Sequence, residues 1–143
     1  PYLRTNPTLA QSRRIDQMTE IVQIVGRAIQ LSEYPIVSSQ ILCMHSKLPY
    51  EVNRALVDLA AQMPEYICGI DLAGGDAYYA ERLDEFVELY AYARSLDIKT
   101  TGHLYETTDG HYPELLPYLM RIGHGIQIPL QHPHLLKEVA QRG

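Results

Sequence analysis

Apolar positions along the chain alternate between two periods, and the alternation divides it into strands and helices. From Ile15 to Glu33, the residues Ile15, Met18, Ile21, Val22, Val25, Ala28 and Ile29 share one helical stripe, while Arg14, Glu20 and Arg27 can face water. Val37 to Met44 is short, apolar and rich in β-branched residues, and it follows Tyr34-Pro35, which favours extended chain. It is predicted to be a buried strand. Pro49 suits the first turn of a helix whose apolar face runs through Val52, Ala55, Leu56, Leu59, Ala60 and Met63 until Pro64 stops it. A strand from Tyr66 to Leu72 then ends in Ala73-Gly74-Gly75-Asp76. The next helix, about Tyr79 to Leu96, turns Leu83, Phe86, Val87, Tyr90 and Ala93 inward, and amphipathic packing accounts for Tyr78, Tyr79 and Tyr92. Ile98 to His103 is a strand, and Thr107-Thr108-Asp109-Gly110 a turn-rich loop. A short helix from Pro113 to Met120, a strand from Arg121 to Gly125 and a helix from Pro133 to Gln141 complete the pattern.

With a further strand near Tyr2, strands begin near Tyr2, Val37, Tyr66, Ile98 and Arg121, and helices fill the intervals, which predicts an α/β fold on a parallel sheet. The repeat is about 30 residues, as in a TIM (β/α)8 barrel of about 250 residues in eight units. Five units cannot close such a barrel, and an open parallel sheet leaves apolar faces and edges exposed. The expectation is a partial TIM barrel of about five consecutive βα units from a larger parent, its first strand and last two strands absent. The chain begins with Pro1, which agrees with this. A small, complete, doubly wound sheet is the alternative.

Composition narrows the function classes. The net charge of -5 weighs against a large nucleic-acid footprint, which shows as a basic face. Cys43 and Cys68 both fall in apolar strand segments and are expected to be small buried hydrophobes, which points away from a disulfide framework and toward a reducing, cytoplasmic compartment. No apolar run reaches the roughly 18 residues that span a membrane, and no signal-peptide pattern opens the sequence. A secreted parent stays open because the native N-terminus is not seen.

In β/α barrels functional residues sit at the C-terminal ends of strands. Asn6, His45, Asp71, Gly74, His103, Glu106 and His124 all fall at or just after such ends. Activating water on a metal needs an imidazole ligand, a carboxylate to move a proton and a second base to orient the water. His103, Glu106 and His124 offer one of each, with His103 the candidate zinc ligand. His132-Pro133-His134 is a second pair of imidazoles, in the approach to a helix, with a weaker case for metal.

Gly69-Ile70-Asp71-Leu72-Ala73-Gly74, then Thr101-Gly102-His103-Leu104-Tyr105-Glu106, then Arg121-Ile122-Gly123-His124-Gly125 resemble the central part of the adenosine deaminase family in order and spacing. Leu3 to Leu9 and Ser39 to His45 fit as well, so the resemblance runs over nearly the whole chain. It implies that His103 is the zinc ligand of the fifth strand, and that Glu106 is the acid that protonates the purine ring nitrogen while water adds to the carbon bearing the amine. Such a carboxyl must be held protonated by burial or by negative charge nearby. The resemblance further implies that His124 orients the zinc-bound hydroxide and stabilises its charge, with Gly123 and Gly125 allowing close backbone approach. Gly74 matches the glycine whose backbone meets the purine. Asp71, on the same strand end, is placed with it in the substrate site and its supporting polar network. The His-x-His pair and aspartate of the family's zinc site belong to its first and eighth strands, which this chain lacks.

One departure bears on function. The family usually has Ala-Gly where this chain has Leu104-Tyr105, and large side chains there could crowd a purine, re-aim Glu106 or line another pocket. The resulting expectation is a zinc-dependent hydrolase whose intact parent converts a 6-aminopurine nucleoside or nucleotide to the 6-oxo product and ammonia. Its partners are that small molecule and the rest of the parent barrel, not a membrane, and the 143 residues alone are expected to be inactive. Two rivals remain: a deaminase of an adenine nucleotide or polynucleotide, and a non-catalytic barrel scaffold or binding module.

Overall fold

The computed structural model describes residues 11–35, 37–75, 78–108 and 110–141. The strand expected near Tyr2, and Asn6 with it, lie outside the described residues. Four strands, β1 (Gln40–His45), β2 (Ile67–Ala73), β3 (Lys99–Leu104) and β4 (Arg121–His124), form one parallel sheet in the order β1-β2-β3-β4. Helices α1 (Gln11–Gln30), α2 (Tyr50–Gln62) and α3 (Leu83–Ser95) alternate with them, followed by α4 (Gln127–Gln131) and α5 (Pro133–Gln141). Doubly wound sheets reverse strand order at a switch point. Here each strand pairs with its neighbours in the chain, the arrangement of a partial TIM-barrel-like fold.

The core lies on one face of the sheet. Leu42, Met44, Ile70, Leu72 and Leu104 project from the strands onto Val57, Leu59, Phe86, Leu89 and Tyr90 of the helices, all buried in one cluster. On α1 only part of the expected stripe is covered. Met18 and Val22 are buried, whereas Val25 and Ala28 are exposed because no described element lies over them.

Pairing sets the strand limits. Val37 to Ser39 stay outside β1, since the ladder begins where Gln40 meets Ile67. Immediately afterwards Ile41 pairs with Gly69, leaving Cys68 as an extra residue at a bulge. Cys68 is therefore exposed, a correction to the expectation that both thiols are buried; Cys43 is half-buried. The helix expected from Tyr79 begins at Leu83, after a 3-10 turn at Ala80–Arg82, because Arg82 leaves helical geometry and reaches across to the loop after β1. The expected short helix at Pro113 is likewise a 3-10 helix, Pro113–Tyr118.

Strands β2 and β3 pair only at their base, Gly69 with Lys99 and Ile70 with Thr100, and then part. Backbone carbonyls in that gap need other donors. Two buried tyrosines supply them: Tyr90 Oη donates to Thr101 O at 2.6 Å, and Tyr79 Oη to His103 O at 3.1 Å. Tyr79 and Tyr90 were expected to serve packing alone, and the structure adds this second task. Tyr90→Phe in the full-length protein is expected to lower unfolding free energy by about 1–3 kcal/mol, the cost of orphaning a buried polar group. Urea titration reads this as a lower midpoint at unchanged slope. An unchanged midpoint would mean that the Thr101 carbonyl is satisfied some other way.

Candidate active site

The face of the sheet opposite the helices carries the chemistry, at the C-terminal ends of the strands. Alternation along β3 turns Leu104 to the helices and His103 to this face. Asp71 of β2 does the same, directly across the gap where the two strands separate. His103 Nδ1 lies 2.9 Å from Asp71 Oδ2 and 3.1 Å from Oδ1. A carboxylate accepts, so Nδ1 carries a proton, and in the neutral ring Nε2 has the free lone pair.

Asp71 is saturated by its surroundings. Besides His103, its Oδ1 accepts from the Leu72 backbone N–H at 2.8 Å, and Cys43 Sγ donates weakly to Oδ2 at 3.9 Å. Burial first, and then the Asp71 charge, push the Cys43 thiol up to about 12, so it stays protonated. Asp71 was expected beside Gly74 in the substrate site. Its side chain is only 12% exposed and its oxygens are engaged by these donors, which suits holding His103 in place better than meeting a ligand.

Strict alternation would send His124 to the wrong side. It pairs with the helix-facing Leu104, but its φ of 66° and the 64° of the following Gly125 turn the chain at the end of β4. The imidazole then stands 5.2 Å from that of His103, edge to face, with Nε2 3.5 Å from Glu106 Oε2. Gly123 makes room beside it: a side chain there would bring its first carbon 3.2 Å from His103 Cγ. Asp71, His103, His124 and Glu106 thus form one polar arc, and the three residues singled out for chemistry converge on one face.

Leu104 and Tyr105 do not crowd that arc. Both are fully buried on the helix side. Leu104 goes there by alternation, Tyr105 by a left-handed turn with φ of 57°. For an L-residue that turn costs roughly 1–2 kcal/mol, so the surroundings must hold it. Burial, with Glu114 and Glu138 nearby, pushes the Tyr105 hydroxyl up to about 12. The turn leaves the Glu106 side chain 49% exposed, without the burial expected around a carboxyl kept protonated.

Gly74 lies over the end of β1. Its φ of 120° is glycine's own, its carbonyl accepts from Ser46 Oγ at 2.7 Å, and an added Cβ would come 2.8 Å from His45 Cε1. The loop under it is fixed by two residues that the sequence pattern did not single out. Buried Asn53 bonds the His45 N–H and carbonyl at 3.0 and 3.1 Å, and Arg82 donates to Ser46 O and Leu48 O. A polar residue inside the apolar stripe of α2 was the available signal for Asn53. His132 and His134 lie 6.1 Å apart at 88°, and His132 packs against Tyr105, on the side away from the arc. No set of three His, Cys, Asp or Glu able to hold a metal occurs among the described residues.

The family model for adenosine deaminase matches residues 2–143. No curated protein matches the chain.

Two imidazoles near the site give stability a pH dependence. Burial and then Lys47 lower the pKa of His45, and desolvation, His111 and His134 lower that of His132. The unfolded rings protonate first as pH falls below about 6.5. The stability these groups contribute is complete above that value, and it is lost as pH falls toward their folded pKa values. Urea midpoints measured from pH 8 to pH 5 are expected to fall on the acid side. A His45→Gln, His132→Gln double variant should flatten part of that slope, and an identical slope would contradict the assignment.

Proposed function

Because the chain belongs to the adenosine deaminase family, a family of deaminating hydrolases, we propose that the full protein removes the 6-amino group of a purine nucleoside, converting adenosine and water to inosine and ammonia. The single observation that carries this reading is the convergence of His103, His124 and Glu106 on one open face, with Asp71 behind His103.

Zinc is the metal this reading calls for, and His103 suits it. With Nδ1–H donated to Asp71, Nε2 has a lone pair to offer, the arrangement that fixes a metal-binding histidine's tautomer and orientation. The other ligands belong to parts of the barrel outside the described residues, which we place in the first and eighth strands of the parent. Bound zinc supplies Lewis acidity toward water at neutral pH.

This chain's residues do the rest. Glu106 delivers a proton to the purine ring nitrogen as water adds to the carbon bearing the amine, and ammonia leaves as the 6-oxo ring forms. His124, in reach of both His103 and Glu106, orients the attacking water and offsets the charge that develops on it. Gly74 presents main chain to the purine, and Asp71 positions His103 and does not touch substrate. Glu106 is half exposed, which leaves its carboxyl open to a purine bound on this face. The non-catalytic rival drew its support from the bulk of Leu104-Tyr105, and both side chains lie in the helix layer.

In the full-length protein, Glu106→Gln is expected to keep zinc and fold while cutting ammonia release from adenosine at least about a hundredfold, within the roughly 10²–10⁴ range of general acid–base groups. His103→Ala loses zinc and activity together. Asp71→Ala keeps the fold but weakens zinc affinity about 10–100-fold, as expected when a ligand loses its supporting carboxylate. Metal analysis beside turnover separates the three roles. A Glu106→Gln enzyme of near wild-type activity would overturn the proposal.

A further inference from the structure

We infer that Tyr105 is a positioning residue for Glu106, and that the segment after β4 is the device through which it acts. The inference rests on the reading of Glu106 given above.

Residue 105 must take a left-handed backbone for the chain to turn from β3 toward Glu106, and a tyrosine adopts that conformation only when it is held. Two sets of contacts hold it. On the helix side the Tyr105 ring meets two imidazoles edge to face, His111 at 5.9 Å and His132 at 5.7 Å. Those imidazoles are stacked on each other at 4.1 Å and 22°, so they form one wall. On the other side, the turn into α4 grips the main chain. Gly125 N–H donates to Leu104 O at 3.0 Å, Gln127 N–H to Tyr105 O at 2.9 Å, and the Gln127 side-chain amide to Glu106 O at 3.4 Å.

Three consecutive carbonyls leading to Glu106 are thus caught by residues 125–127, and the ring between them is caged by His132 at the end of the same short helix. Helix α4 touches both faces of the turn. A glycine at 105 would reach the same φ freely and keep these main-chain bonds, but it would lose the tie between this backbone and the imidazole wall. The ring therefore restricts where the carboxylate can point. Among the described residues the Tyr105 hydroxyl has no hydrogen-bond partner of ordinary geometry, and the contacts that hold the turn from the helix side are those of the ring.

The test is a double-mutant cycle in the full-length protein with its metal, reading kcat and KM for ammonia release from adenosine. Tyr105→Ala is expected to lower kcat about tenfold or more with KM changed less than about threefold, and Tyr105→Phe to restore wild-type kcat within about twofold. In a Glu106→Gln background the same Tyr105→Ala change should cost almost nothing further, because the group it positions is already gone. An equal loss in both backgrounds would show a general structural effect and overturn the inference, as would a Tyr105→Ala enzyme with wild-type kcat. If Tyr105→Ala does not fold, as judged by circular dichroism, His132→Ala takes its place in the cycle with the same expectations and the same overturning results. An active Glu106→Gln enzyme would instead sink the catalytic reading, so the two failures are distinguishable.

Discussion

The parting of β2 and β3 above their first two paired residues is the constraint on which the rest of the site depends. Parallel strands that stayed in register to their ends would spend every backbone group on the ladder and leave no gap between Asp71 and His103. Because the strands separate, side chains take over the bonding. Tyrosines close the gap from the helix layer, and the Asp71–His103 pair closes it on the open face. The pair is a hydrogen-bonded bridge between two strands as well as the feature that fixes the histidine's tautomer. Structure and chemistry at this point share the same atoms.

Most of the scaffold was legible in the sequence because each βα unit carries its own periodicity. Val52 to Met63 reads as a helix and is one, and β2 and β3 were placed to within a residue or so. What escaped depends on neighbours that a local pattern does not contain. Cys68 reads as a buried strand residue, yet the register shift against β1 makes it the extra residue of a bulge. Helix α4 was not singled out in the sequence: it is only five residues long, and its Pro129 falls in the first turn, where proline is tolerated.

The candidate site divides along the same line. The positions of His103, Glu106 and His124 at strand ends were legible, since strand order alone brings them to one rim. Their directions were not. His124 pairs with a helix-facing residue and meets His103 only because its backbone turns left-handed, and Tyr105 leaves the site free for the same reason. A positive φ on a histidine or a tyrosine has no signature in composition. Only the flanking glycines at 123 and 125 hinted at one of the two. The outward burial of Tyr105 likewise depends on the histidines at 111 and 132, which come later in the chain.

The sequential order of the sheet bears on how the protein folds. Each strand finds its partner about 20 to 30 residues away, with an α-helix or a 3-10 helix in between, so closing each pair costs little chain entropy. The catalytic turn is completed only later in the chain. Asp71 waits for β3, and the turn at Tyr105 waits for the segment that follows β4. A chain that stops short of the segment after β4 therefore lacks the main-chain bonds that hold the turn leading to Glu106.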